Sequence, residues 1–109
     1  MGSHVLTPMK KIEIVVDGEQ LQAVRDALSE SGVCGYTMLQ NVSGMGHHGR
    51  HEGRLLFDDV GTQVMFVAVV PEAVLDGVLD ALLPLFERKS GVAFVSDVAV
   101  SRAGHFGGP

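Results

Sequence analysis

The residues best suited to chemistry lie together in one stretch, Ser43-Gly44-Met45-Gly46-His47-His48-Gly49-Arg50-His51-Glu52-Gly53-Arg54. Its four glycines forfeit too much backbone entropy for a regular element to form cheaply, so a loop is expected. Bare glycine amides beside Arg50 and Arg54 suit an anion, since the amides approach phosphate closely and a guanidinium offers a planar fork of donors. Three imidazoles, His47, His48 and His51, with Glu52 beside them, also permit a loop metal site. His47 and His51 have helical spacing, but the flanking glycines disfavour the helix that would align them. The plain alternative is a solvated connection between two patterned halves.

The rest of the chain must position that loop. At 109 residues there is room for one domain, burying roughly 60 to 70% of its unfolded surface. An apolar fraction of 46% with 19% charged residues fits a compact fold rather than disorder. A net charge of −5, no Trp and one Tyr argue against a nucleic-acid partner, which needs a basic stripe and stacking surfaces. The single Cys34, between Val33 and Gly35, excludes an intrachain disulfide and reads as a small buried hydrophobe. No run of 18 apolar residues and no signal-like segment occurs, so a cytoplasmic protein is expected. Catalytic signatures such as a Walker loop, a nucleophile elbow or HExxH are missing, and no enzymatic activity is expected.

Residues 1–9 lack periodicity and open on Met-Gly-Ser-His, so they are expected to be disordered or a cloning remnant. Residues 10–17 alternate, with Ile12, Ile14 and Val16 on one face, and predict a strand. Asp17-Gly18 ends it and offers a cap for a helix over residues 19–31, whose Leu21, Val24 and Leu28 form a stripe closed by Gly32. A second strand is expected over residues 36–42. After the loop, in which Leu55-Leu56-Phe57 suggests a short arm or lid, residues 63–70 predict a third strand that is apolar on both faces. Pro71 suits the start of a second helix running to about Glu87, with Pro84 expected to kink it or end its regular part. Residues 92–100 predict the last strand.

Leu21, Val24 and Asp26-Ala27-Leu28 recur as Leu75, Val78 and Asp80-Ala81-Leu82 at a constant offset of 54. The chain therefore reads as a doubled strand-helix-strand unit. Right-handed crossovers close it into an α+β, ferredoxin-like βαββαβ fold with a four-stranded antiparallel sheet and both helices on one face. The other face, apolar along residues 63–70, predicts a homo-oligomer packed sheet to sheet.

Lys10-Lys11-Ile12-Glu13-Ile14-Val15-Val16, Val24-Arg25-Asp26-Ala27-Leu28 and Gly35-Tyr36-Thr37 before a glycine-rich loop resemble the PII signalling proteins. Residues 90–100, followed by Arg102-Ala103-Gly104-His105-Phe106, look closest to the PII-like branch associated with carboxysomes and bicarbonate transport. The resemblance covers residues 10–106, leaves 107–109 as a tail and makes residues 43–62 the T-loop. It implies a homotrimer that binds an adenine nucleotide (AMP, ADP, ATP or cyclic AMP), with bicarbonate as a further effector, in clefts between subunits. The T-loop would then dock on a partner such as a membrane transporter, placing the protein in the cytoplasm and peripherally at the membrane. Position by position it implies Gly35, Tyr36 and Thr37 in the cleft, and Gly44, Gly46 and Arg50 at the T-loop base facing the phosphates. Lys89, Ser90, Gly91 and Val92 form the opposite wall, and Arg102, His105 and Phe106 come from the C-terminal segment. A CutA-type metal module of the same fold, using His47, His48 and His51, is the alternative.

Three departures from the PII pattern stand out. Residues 43–62 contain no tyrosine, so uridylylation is not expected. The Gly-Asp-Gly-Lys phosphate loop of classical members is replaced by Arg88-Lys89-Ser90-Gly91, which leaves the number of ligand phosphates open. The chain ends in Gly107-Gly108-Pro109 without the cysteine pair of transporter-associated relatives, so no redox switch is expected there.

Overall fold

The computed structural model describes residues 4–43 and 63–106. Four strands form one sheet: β1 (Thr7–Asp17), β2 (Tyr36–Val42), β3 (Gln63–Val70) and β4 (Gly91–Val100). Their order is β2-β3-β1-β4 and every pairing is antiparallel. The helices α1 (Leu21–Glu30) and α2 (Glu72–Arg88) follow β1 and β3, giving βαββαβ.

Both helices pack on the same face of the sheet. Val24, Ala27 and Leu28 from α1 and Val78 and Leu82 from α2 share a core with Ile12, Ile14, Val16, Val64, Phe66 and Val70. The repeated positions meet at its centre: Val24, Leu28, Val78 and Leu82 are all fully buried, while Asp26 and Asp80 face water. That is the outcome expected of a doubled unit, because equivalent stripes must bury against equivalent strands.

α1 ends as its sequence dictates. Gly32 adopts φ +89°, a conformation that is cheap only without a Cβ. The Val33 N–H donates to the Leu28 carbonyl at 3.2 Å and the Gly32 N–H to the Ser29 carbonyl at 3.5 Å. This Schellman pattern turns the chain sharply toward β2 and packs Val33 on the core.

Several local expectations need correction. β1 starts at Thr7, not residue 10, and Met9 is 4% exposed. Pro8 is accommodated because β1 there has run past Lys10↔Val70, the last pair with β3, leaving one side of the strand free. The helix expected from residue 19 begins as a 3₁₀ turn, Gly18–Gln20, without a capping side-chain bond from Asp17. Pro84 does not end α2, which continues to Arg88. Pro84 and Asp80 are both exposed, so water can satisfy the carbonyl that the missing N–H leaves open. Cys34 is exposed rather than buried, since the Schellman turn directs Val33 inward and the next residue outward. The arm expected at Leu55-Leu56-Phe57 lies outside the described residues.

β2 carries one irregularity. Gln40 pairs with Val64 and Val42 with Gln63, so Asn41 is an extra residue in a bulge, at φ 58°. Asparagine visits this left-handed region more readily than other side chains. The bulge stands just before the glycine-histidine stretch.

Candidate functional site

Tyr36 and Thr37 open β2 on an edge of the sheet, opposite Ala68 and Val67 of β3. Alternation sends Tyr36 to the helix-covered face and Thr37 to the other. The Tyr36 ring stands edge-on to Phe66, centroids 5.3 Å apart with 64° between planes, a favourable quadrupole arrangement. Phe66 is fully buried, so the ring against it is held from the core side.

The C-terminal segment reaches the same edge. After β4 the chain forms a 3₁₀ turn, Ala103–Phe106, in which the His105 N–H donates to the Arg102 carbonyl at 3.0 Å. The His105 and Phe106 rings meet at right angles, 5.0 Å between centroids. Together with Gly35, Tyr36 and Thr37 they line a hollow of about 390 Å³. Val67, Val69 and Cys34 complete its lining.

Among the described residues this lining carries no lysine, arginine or carboxylate. Aromatic edges, two valines and a glycine suit a flat, uncharged ring, with Thr37 and backbone groups available for its polar edge. A phosphate would have to find its cations elsewhere.

One expected source, Lys89-Ser90-Gly91-Val92, stands at the opposite edge. Gly91 pairs with Val16, Val16 with Val64, and Val64 with Gln40, four residues along β2 from Tyr36. Three strand spacings across and four residues along put the two groups on the order of 20 Å apart. One chain therefore does not bring them together. Lys89 follows α2 and its ammonium pairs with Glu19 at 2.9 Å. Gly91 has a packing reason of its own, because a Cβ there would lie 2.4 Å from the Phe86 ring. Arg102 is exposed where the chain leaves β4 and is not part of the lining.

Of the residues expected at the site, then, Gly35, Tyr36, Thr37, His105 and Phe106 converge, and Lys89 to Val92 stand apart. Gly44, Gly46 and Arg50, with His47, His48 and His51, lie outside the described residues. Among the described residues no group of three or more His, Cys, Asp or Glu could hold a metal ion. Sequence reading missed Cys34, Val67 and Val69 as lining. The signal for the valines was present in the two-faced apolar pattern of β3, which was assigned wholly to subunit packing.

The face of the sheet away from the helices carries Val92 and Phe94 of β4, 42% and 55% exposed, and half-buried Val15, Met65, Val67 and Val69. Lys11 and Glu13 pair on it at 3.7 Å. No helix in the described residues is long and apolar enough to cross a membrane.

Comparison with known proteins places these features. The family described as Nitrogen regulatory protein P-II matches residues 9–105. Nitrogen regulatory protein P-II 1 of Escherichia coli K12 is 32% identical over 98 residues, covering 84% of this chain and 87% of that protein. CPII, a nitrogen regulatory PII-like protein from Thiomonas intermedia K12 solved with ADP, AMP and bicarbonate, superposes with a TM-score of 0.82 at 40% identity, covering 95% of this chain and 98% of its own. The same protein bound to ADP and bicarbonate gives a TM-score of 0.81, also at 40% identity, with 95% and 99% coverage.

Proposed function

Because this chain belongs to the nitrogen regulatory protein P-II family, we propose that it is a cytoplasmic, trimeric PII-like signal-transduction protein whose clefts bind an adenine nucleotide. The observation that carries this reading is the uncharged, aromatic-edged hollow formed by Gly35, Tyr36, Thr37, His105 and Phe106. It has the size and chemistry for a base, and CPII, at 40% identity, binds ADP and AMP.

The split between sheet edges gives the assembly its purpose. The hollow lacks cations, and Lys89 to Val92 stand across the sheet, so a complete site requires the β2 edge of one subunit against the β4 edge of the next. Burial of Val92, Phe94 and the outer valines of β3 between copies would stabilise that arrangement. In this assembly the base rests in the hollow, Lys89 and Arg102 meet phosphate, and Arg50 with the amides of Gly44 and Gly46 completes the phosphate shell. Bicarbonate, which CPII also binds, is an added effector.

The output is the T-loop, residues 43–62. A ligand that fixes Arg50 and the glycine amides at the loop's base favours one loop conformation over others, and only that difference in affinity can shift the population. The partner that reads the loop is a membrane transporter or another regulated protein. The role is regulatory rather than enzymatic.

Thermal unfolding of chelator-washed protein against AMP, cyclic AMP, ADP, ATP, bicarbonate with each, and zinc tests the reading. A ligand at about 100 times its dissociation constant adds roughly 2.7 kcal/mol. Stabilisation by an adenine nucleotide is expected, and Arg50→Ala should lower the response to phosphate-bearing ligands more than to adenosine. Stabilisation by zinc alone points instead to a metal module built on His47, His48 and His51.

A further inference from the structure

The geometry points to Glu19 as a resident competitor for Lys89: its carboxylate pairs with the ammonium, and an anionic ligand that uses the ammonium must displace it. The inference rests on the proposed phosphate-contacting role of Lys89 and concerns what sets the affinity of that contact.

Three observations carry it. The Glu19 Oε1 and Lys89 Nζ atoms stand 2.9 Å apart although their residues are 70 positions apart in the chain. A hydrogen bond next to the pair ties the two elements that carry it. Gln20, next to Glu19, donates from Nε2 to the Leu85 carbonyl at 3.2 Å, and that same carbonyl accepts the Lys89 N–H at 3.3 Å. The 3₁₀ turn Gly18–Gln20 is thereby pinned to the last turn of α2, which keeps Glu19 beside Lys89. Finally, both side chains are substantially exposed, 63% for Glu19 and 44% for Lys89. An ion pair in that setting is weak enough for a phosphate to replace.

A carboxylate and a phosphate cannot both use the ammonium fully, because each brings negative charge to the same point. A bound phosphate therefore meets either a Lys89 freed at the cost of the Glu19 pair or a neighbouring carboxylate that repels it. Both lower affinity for phosphate-bearing ligands and leave the uncharged nucleoside untouched. Glu19 thus tunes which ligand concentrations the site reports.

The test measures binding of ADP and of adenosine by calorimetry to the intact protein and to Glu19→Gln, Lys89→Met and the double variant. Glu19→Gln is expected to tighten ADP about two- to fivefold, the range open to an exposed ion pair, with the gain shrinking as salt is added. Adenosine should bind the parent and Glu19→Gln alike. In the Lys89→Met background the gain from the Glu19 substitution should shrink, because no ammonium is left to release and only the repulsion of the carboxylate is removed. If Lys89→Met weakens ADP but Glu19→Gln leaves it unchanged or weakens it, Glu19 is not a competitor, and the nucleotide reading stands without it. If Lys89→Met leaves ADP unchanged, the contact itself is absent and the inference falls. Failure of the parent protein to bind either ligand overturns the nucleotide reading and this inference together.

Discussion

Phe86 fills the space that a side chain on Gly91 would need. A Cβ built at Gly91 lies 2.4 Å and 2.8 Å from two atoms of the Phe86 ring and 3.1 Å from Val16. Gly91→Ala should therefore destabilise the protein by about 1–3 kcal/mol through overpacking, read as a Tm lowered by several degrees. Adding Phe86→Leu should recover part of the loss. An unchanged Tm for Gly91→Ala would mean that the ring moves aside freely.

Asn41 predicts a sharp difference between two substitutions. It holds φ 58° in the bulge between Gln40 and Val42. Asn41→Gly should change stability by only a few tenths of a kcal/mol, whereas Asn41→Val forces a β-branched residue into left-handed backbone and should cost about 1–2 kcal/mol. Denaturant unfolding of the two variants decides it. Equal midpoints would show that the bulge relaxes.

Lys10 gives a pH dependence. Its ammonium donates to Asp97 across the β1–β4 ladder, and that hydrogen bond holds its pKa above the ordinary 10.5, reinforced by the charges of Asp97 and Glu72. A pKa raised in the folded state means that the folded protein holds the proton more tightly than the unfolded chain. The stabilisation is therefore fully present below pH 10.5 and fades as the pH rises through the folded-state value. Asp97→Asn should be less stable than the parent at pH 8, with the gap closing in strong alkali. A gap that persists there would assign it to packing.

Cys34 offers a reporter. The thiol is exposed and contributes to the hollow with Gly35 and Tyr36. Saturating ADP should slow its reaction with a maleimide severalfold in native protein and not at all in urea. Full reactivity in the presence of bound ADP would place the nucleotide elsewhere.

The fold was legible where one period dominated. Residues 10–17 alternate and lie within β1, and the valine-rich apolar run of residues 63–70 and residues 36–42 become strands with the expected bounds. The α1 end was legible because Gly32 has one cheap use there. The start of β1 was hidden because Thr7, Pro8 and Met9 show no alternation, and their pairing with Val100, Ala99 and Val98 depends on a strand 90 residues away. Cys34 was misread because composition favours burial of a free cysteine, whereas the turn geometry fixes which neighbour points inward. The site was half legible: the family resemblance marked Tyr36 and Phe106, but only the register reveals that Lys89 and Tyr36 stand on opposite edges of one sheet.

That opposition has a genetic consequence under the proposed assembly. A chain lacking Tyr36 and a chain lacking Lys89 are each defective at every cleft when they assemble alone. Assembled together, a cleft that takes its β2 edge from the chain lacking Lys89 and its β4 edge from the chain lacking Tyr36 is whole. Two broken alleles expressed in the same cell should therefore restore part of the response that neither gives by itself, while a chain carrying both defects should poison mixed assemblies.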